Sequence, residues 1–129
     1  FISEAYDAAP TSMHAAIQFI EQTTIRKEKW LVLGDMLELG NDEQSMHEEV
    51  AAYIDNQKIS YVCLYGPRMK WLYEKLQAKF DAAHLVYSEQ DYNPIINKIK
   101  LNATSESIIL VKGSRGMQLE KIIQSNELA

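Results

Sequence analysis

Lys112, Ser114 and Arg115, set among Gly113 and Gly116, are the densest group of anion-binding side chains in this sequence. Lysine offers a point charge and arginine a planar fork, while glycines let backbone N–H groups approach a phosphate or carboxylate. The apolar run Ile108 to Val111 precedes them and a helix-like pattern follows. The segment therefore reads as a buried strand delivering two cations to a helix N-terminus, where anions bind. The alternative is a solvated turn whose glycines merely permit positive φ. Asp35 and Glu38, in Gly34-Asp35-Met36-Leu37-Glu38-Leu39-Gly40, suit a metal, a ribose hydroxyl or a cation, or equally a helix cap. His47, one helical turn after Glu43, reads as a ligand or acid–base group, or as a surface or interdomain histidine. Tyr6, beside Asp7, has the chemistry to stack on or hydrogen-bond a nucleotide, or simply to pack in its loop. His14 and His84 suggest no specific role.

The elements that must position these groups follow from hydrophobic periodicity, which alternates between two patterns. Apolar runs predict strands at about Phe1–Ala5, Trp30–Leu33, Tyr61–Tyr65, Leu85–Tyr87 and Ser107–Val111. Helical spacing predicts helices from Pro10 to about Thr23, near Glu43–Asn56, about Arg68–Lys79, after Ser88 or Asp91 through Ile99, and from Met117 to about Ser125. Pro10 is a favourable first helical residue, and Thr11 or Ser12 can cap. Strands each followed by a helix imply a mostly parallel sheet covered on both faces. The expected fold is α/β, a Rossmann-like three-layer sandwich of about five or six strands. In such sheets ligands bind beyond the carboxyl ends of the strands. The loops there are Tyr6–Ser12, Gly34–Gly40, Gly66–Arg68, Ser88–Asp91 and Lys112–Gly116, which include every group named above as a candidate except His47.

Composition narrows the choices. A chain of 129 residues fits one domain, residues 1–129. A net charge of −5 without a basic stripe argues against broad nucleic-acid binding. The single cysteine, Cys63, lies in an apolar run and reads as a buried hydrophobe. No apolar run approaches the ~20 residues that span a bilayer. The chain opens on Phe1-Ile2 without a methionine, so a fragment of a longer polypeptide is expected. No Gly-x-x-x-x-Gly-Lys-Ser/Thr phosphate loop, Gly-x-Gly-x-x-Gly, Cys/His metal spacing or Gly-x-Ser-x-Gly is present.

Three segments carry a resemblance. Ala5-Tyr6-Asp7-Ala8-Ala9-Pro10-Thr11-Ser12-Met13, Gly34 to Gly40 with His47, and Leu110-Val111-Lys112-Gly113-Ser114-Arg115-Gly116-Met117 together look like the C-terminal domain of the Mur ligases. The order and spacing are most similar to the type that adds D-alanyl-D-alanine to UDP-N-acetylmuramoyl-tripeptide. The resemblance implies a cytoplasmic three-domain enzyme, a partner N-terminal domain for the UDP-sugar, and a central domain holding ATP and Mg²⁺. This chain would be the lid, with no complete catalytic set of its own and no metal ligand. Lys112, Ser114, Arg115, Asp35, Glu38 and His47 would then serve substrate binding, and Glu4, Tyr6, Asp7 and Ser12 the nucleotide.

The first segment departs from the family pattern Asp-Asp-x-Tyr-Asn-Ala-Asn-Pro. Glu4 keeps a carboxylate, Asp7 replaces an amide by a charge that would repel phosphates, and Ala9 removes a polar group. Another Mur-type ligase with a different acceptor, and a non-catalytic anion-binding module, are the rival expectations. A phospho-acceptor receiver domain fits less well, because Ser3-Glu4 does not supply paired carboxylates after the first strand.

Overall fold

The computed structural model describes residues 2–5 and 9–127, with side chains for Ile2 and residues 9–125. Five strands, β1 (Ile2–Ala5), β2 (Glu28–Gly34), β3 (Tyr61–Tyr65), β4 (Leu85–Ser88) and β5 (Ser107–Lys112), form one sheet in the order β1-β5-β2-β3-β4. Every pairing is parallel, with Ile2 beside Ile109, Trp30 beside both Ile109 and Tyr61, and Val62 beside Leu85. The central strands β2 and β5 are buried on both faces, which is why they read as unbroken apolar runs.

Helices α1 (Pro10–Gln22), α2 (Glu43–Glu49) and α3 (Met69–Leu76) lie toward one face, α4 (Asn93–Asn102) and α5 (Glu120–Glu127) toward the other. Met13, Ile17 and Ile20 of α1 pack with Met69, Leu72 and Leu76 of α3 over Leu31, Leu33, Val62 and Leu110. On the opposite face Ile95, Ile96, Ile99, Ile122 and Ile123 cover Trp30, Val32, Cys63 and Val111. Trp30 is fully buried, stacks on Tyr61 at 4.0 Å and donates its indole N–H to Glu28 at 2.7 Å. Cys63 is the buried hydrophobe expected; burial pushes its thiol up to about 12, so no reactive thiolate forms at neutral pH.

Helix ends carry the departures from expectation. α1 starts as its sequence predicts, Pro10 leading and Ser12 Oγ both accepting from Ala9 N–H (3.1 Å) and donating to the Ala9 carbonyl (3.0 Å). α2 stops at Glu49 and tightens into a 3-10 turn, Val50–Tyr53, rather than running to Asn56. Lys79 Nζ takes the carbonyls of Ala51 (2.7 Å) and Ile54 (3.0 Å), so a distant cation completes that end. Asp91 Oδ1 accepts from Asn93 N–H at 2.9 Å just ahead of α4. The start of α5 shifts as well. Arg115–Met117 forms a 3-10 turn, Gln118 turns left-handed at φ 51°, and the helix begins only at Glu120 instead of Met117. His14 and His84 make local contacts, a stack on Tyr53 at 3.9 Å and a 2.6 Å bond to Asp81.

Candidate functional site

The carboxyl end of β5 is a topological switch. Its neighbours β1 and β2 lead to α1 and α2 on one face, whereas β5 leads to α5 on the other. Loops that diverge in this way open a crevice for ligands. Gly34 and Gly113 end the two central strands side by side: a Cβ on Gly113 would lie 3.0 Å from Gly34 Cα and 2.7 Å from Leu119 Cδ1. A Cβ on Gly34 would in turn crowd Leu119 Cδ1 at 3.0 Å and Met117 Cγ at 3.1 Å, so the two glycines let the loops that follow lie close together.

These loops are bonded to each other residue by residue. Ser114 N–H donates to the Asp35 carbonyl at 3.2 Å, and Leu37 N–H donates to Ser114 Oγ at 3.0 Å. Met36 N–H donates to His47 Nε2 at 3.0 Å, which fixes that nitrogen as an acceptor. The proton must then sit on Nδ1, which donates to the Glu43 carbonyl at 2.6 Å, so His47 is neutral in this arrangement. Asp35 accepts from Met69 N–H (3.0 Å) through Oδ1 and from Arg68 N–H (3.1 Å) through Oδ2. It thus satisfies two of the open donors at the start of α3. The turn that feeds α3 is shaped around it: Gly66 has φ 116°, and a Cβ there would fall 2.4 Å from Asp35 Oδ1.

Arg68 closes the arrangement. Its Nε–H donates to Glu43 at 2.6 Å and its Nη1 lies 3.3 Å from Asp35 Oδ2. The Glu43 bond raises the Arg68 pKa, partial burial opposes this, and Asp35 adds to the rise. On the far side, Tyr92 donates its hydroxyl to the Met117 carbonyl at 2.7 Å and stacks on Tyr65 at 4.4 Å, bracing the turn after β5. Burial pushes the Tyr92 phenol up to about 12, so it remains a donor at neutral pH.

The expected site residues fall into distinct positions. Ser114, Arg115 and Glu38 stand on the joined loops, Arg115 and Glu38 exposed and Ser114 half-buried. Asp35 and His47 are 0 % exposed and hold those loops from behind. Lys112 is 3 % exposed and shares the side of Ile108 and Leu110. The reading of two cations at a helix N-terminus is corrected accordingly: one is buried in β5, and the other opens a 3-10 turn. Ser12 lies at the start of α1, its hydroxyl bonded to Ala9 as above. Glu4 is described only as backbone of β1, paired with Val111; Tyr6 and Asp7 lie outside the described residues. Sequence reasoning missed Arg68 and Tyr92, although Gly66-Pro67-Arg68 marked the right loop. Among the described residues no group of three or more His, Cys, Asp or Glu is placed to hold a metal. No helix among them is long and apolar enough to cross a membrane.

Comparison with known proteins agrees with this architecture. A family model described as Mur ligase, glutamate ligase domain matches residues 1–115. The UDP-N-acetylmuramoyl-tripeptide–D-alanyl-D-alanine ligase of Bacillus subtilis is 41 % identical over 95 % of this chain, which covers 27 % of that relative. The ligase of the same name from Rickettsia prowazekii is 34 % identical over 95 % of the chain and 26 % of its own length. The chain thus spans about a quarter of these curated relatives. MurF ligase from Thermotoga maritima, solved in complex with ADP, shares the fold with a TM-score of 0.78 at 21 % identity, across 96 % of this chain and 27 % of that one. A MurF structure from Acinetobacter baumannii gives 0.79 at 23 % identity, across 97 % and 27 %. The chain belongs to the Mur ligase, glutamate ligase domain family.

Proposed function

We propose that this chain, residues 1–129, is the C-terminal lid domain of a cytoplasmic, ATP-dependent carbon–nitrogen ligase. The ligase joins D-alanyl-D-alanine to UDP-N-acetylmuramoyl-tripeptide in peptidoglycan precursor synthesis. The single observation that carries the reading is the 41 % identity, over 95 % of the chain, to a relative of that name. In this reaction ATP transfers its γ-phosphoryl group to the tripeptide carboxylate, leaving ADP and an acyl phosphate. The dipeptide amine attacks the acyl carbon, phosphate leaves, and the amine gives up a proton as the amide forms.

The domain's own residues bind and orient. Arg115, carried on a turn held by Ser114 and Tyr92, suits an anionic group such as the dipeptide carboxylate or developing phosphate charge. A guanidinium fixed in advance stabilises such charge without reorganising during reaction. Glu38 suits the ammonium group of the arriving acceptor, which loses one proton to become the attacking amine before the second is given up as the amide forms. Closure of the lid would bring both groups to the acyl phosphate and exclude water from it. ATP and Mg²⁺ would be held mainly by a central domain of the same polypeptide.

The test is phosphate release by the full-length protein with ATP, Mg²⁺ and UDP-muramoyl-tripeptide, run against a panel of amino acids and dipeptides. Release that depends on D-alanyl-D-alanine is expected. Release with a single amino acid instead would reassign the acceptor, and none with any acceptor would remove the ligase reading.

A further inference from the structure

Asp35, Met36 and Leu37 are each held by a different part of the fold. The Asp35 carboxylate is bound at the start of α3, the Met36 N–H by His47 of α2, and the Leu37 N–H by Ser114 after β5. The next residue, Glu38, adopts φ 63°, a left-handed conformation that a residue with a Cβ keeps only where its surroundings enforce it. Two of those supports, Asp35 and the α2 segment starting at Glu43, are joined by one side chain: Arg68 reaches Glu43 through Nε and Asp35 through Nη1. Arginine is required for this bridge, since its planar fork bonds two carboxylates in set directions and a lysine ammonium does not.

We propose that Arg68 is a positioning residue for the Gly34–Gly40 loop, which carries Glu38, the residue proposed above to meet the acceptor. By fixing the spacing between the end of β2 and the start of α2, it sets where Glu38 stands and how the Ser114–Arg115 turn docks on Leu37. It touches no substrate itself and acts through Asp35 and Glu43. The inference rests on the ligase reading above for the identity of the acceptor, but the geometry it describes does not depend on which acceptor is used.

The test uses the full-length protein with Arg68→Gln and Arg68→Lys. Arg68→Gln is expected to raise KM for the acceptor about tenfold while leaving KM for ATP and for the UDP-linked substrate within about twofold. Arg68→Lys, with charge but no fork, is expected to recover only part of the loss. Amide exchange at Met36 and Leu37 is expected to quicken about tenfold in Arg68→Gln, with amides of β2 and β5 unchanged. An unchanged acceptor KM, an equal change in all three KM values, or unchanged exchange at both amides would overturn the proposal. If Arg68→Gln does not fold, Arg68→Lys decides by the same two readouts. The acceptor is chosen first with the wild-type protein, so failure of the dipeptide assignment is seen there and failure of the positioning role only in the variants.

Discussion

Asp35→Ala is expected to destabilise the domain by about 3 kcal/mol or more, because one substitution removes the acceptor for two helix-start N–H groups and a partner of Arg68. Asp35 is wholly buried, so no water replaces the lost carboxylate at once. The turn at Gly66 is shaped to admit that group, and without it the space is left unfilled. In a domain of this size the effect corresponds to a fall in Tm of roughly 10 °C. Asp35→Asn keeps one acceptor but turns an NH₂ toward the other donor, so an intermediate loss is expected. Urea unfolding of the wild type and both variants measures this. A loss below about 1 kcal/mol for Asp35→Ala would show that the carboxylate does not support α3 as described.

Arg115→Ala is expected to act in the opposite manner, sparing the fold and removing activity. Arg115 is exposed, and substitutions at such positions usually change stability by less than about 0.5 kcal/mol. The turn under it persists through bonds that do not use its side chain: Leu37 N–H to Ser114 Oγ, Met117 N–H to the Ser114 carbonyl, and Tyr92 hydroxyl to the Met117 carbonyl. Loss of one preorganised cation from a closed site costs on the order of 10²-fold in rate. The full-length ligase carrying Arg115→Ala should therefore retain its Tm and lose about a hundredfold in kcat/KM for the dipeptide. Turnover equal to wild type would take Arg115 out of the site.

The sheet was legible in the sequence because buried parallel strands leave continuous apolar runs. Tyr61–Tyr65 is bounded as its composition predicts, and β2 and β5 extend only one or two residues beyond their apolar cores. What escaped was set by tertiary contact. The end of α2 depends on Lys79, and the start of α5 on the left-handed Gln118. At the candidate site, residue types and spacing marked loops that the structure joins, but not which side chains face inward. Asp35 sits between Gly34 and the buried Met36, a hint of burial that polarity alone obscures. Arg68 gave no local signal, since its two carboxylate partners lie 33 and 25 residues away. A buried supporting carboxylate and an exposed one look the same in a sequence; here the fold separates Asp35 from Glu38.

The most direct measurement places this chain in a working ligase. In the Bacillus subtilis relative, 41 % identical over 95 % of this chain, the matching C-terminal segment can be exchanged for residues 1–129. The product formed from UDP-muramoyl-tripeptide is then weighed by mass spectrometry. The account expects a chimera that makes UDP-muramoyl-pentapeptide only when both ATP and D-alanyl-D-alanine are supplied. A chimera that folds with the stability of its parent yet forms no pentapeptide would contradict the central claim that this domain is the lid of a D-alanyl-D-alanine ligase.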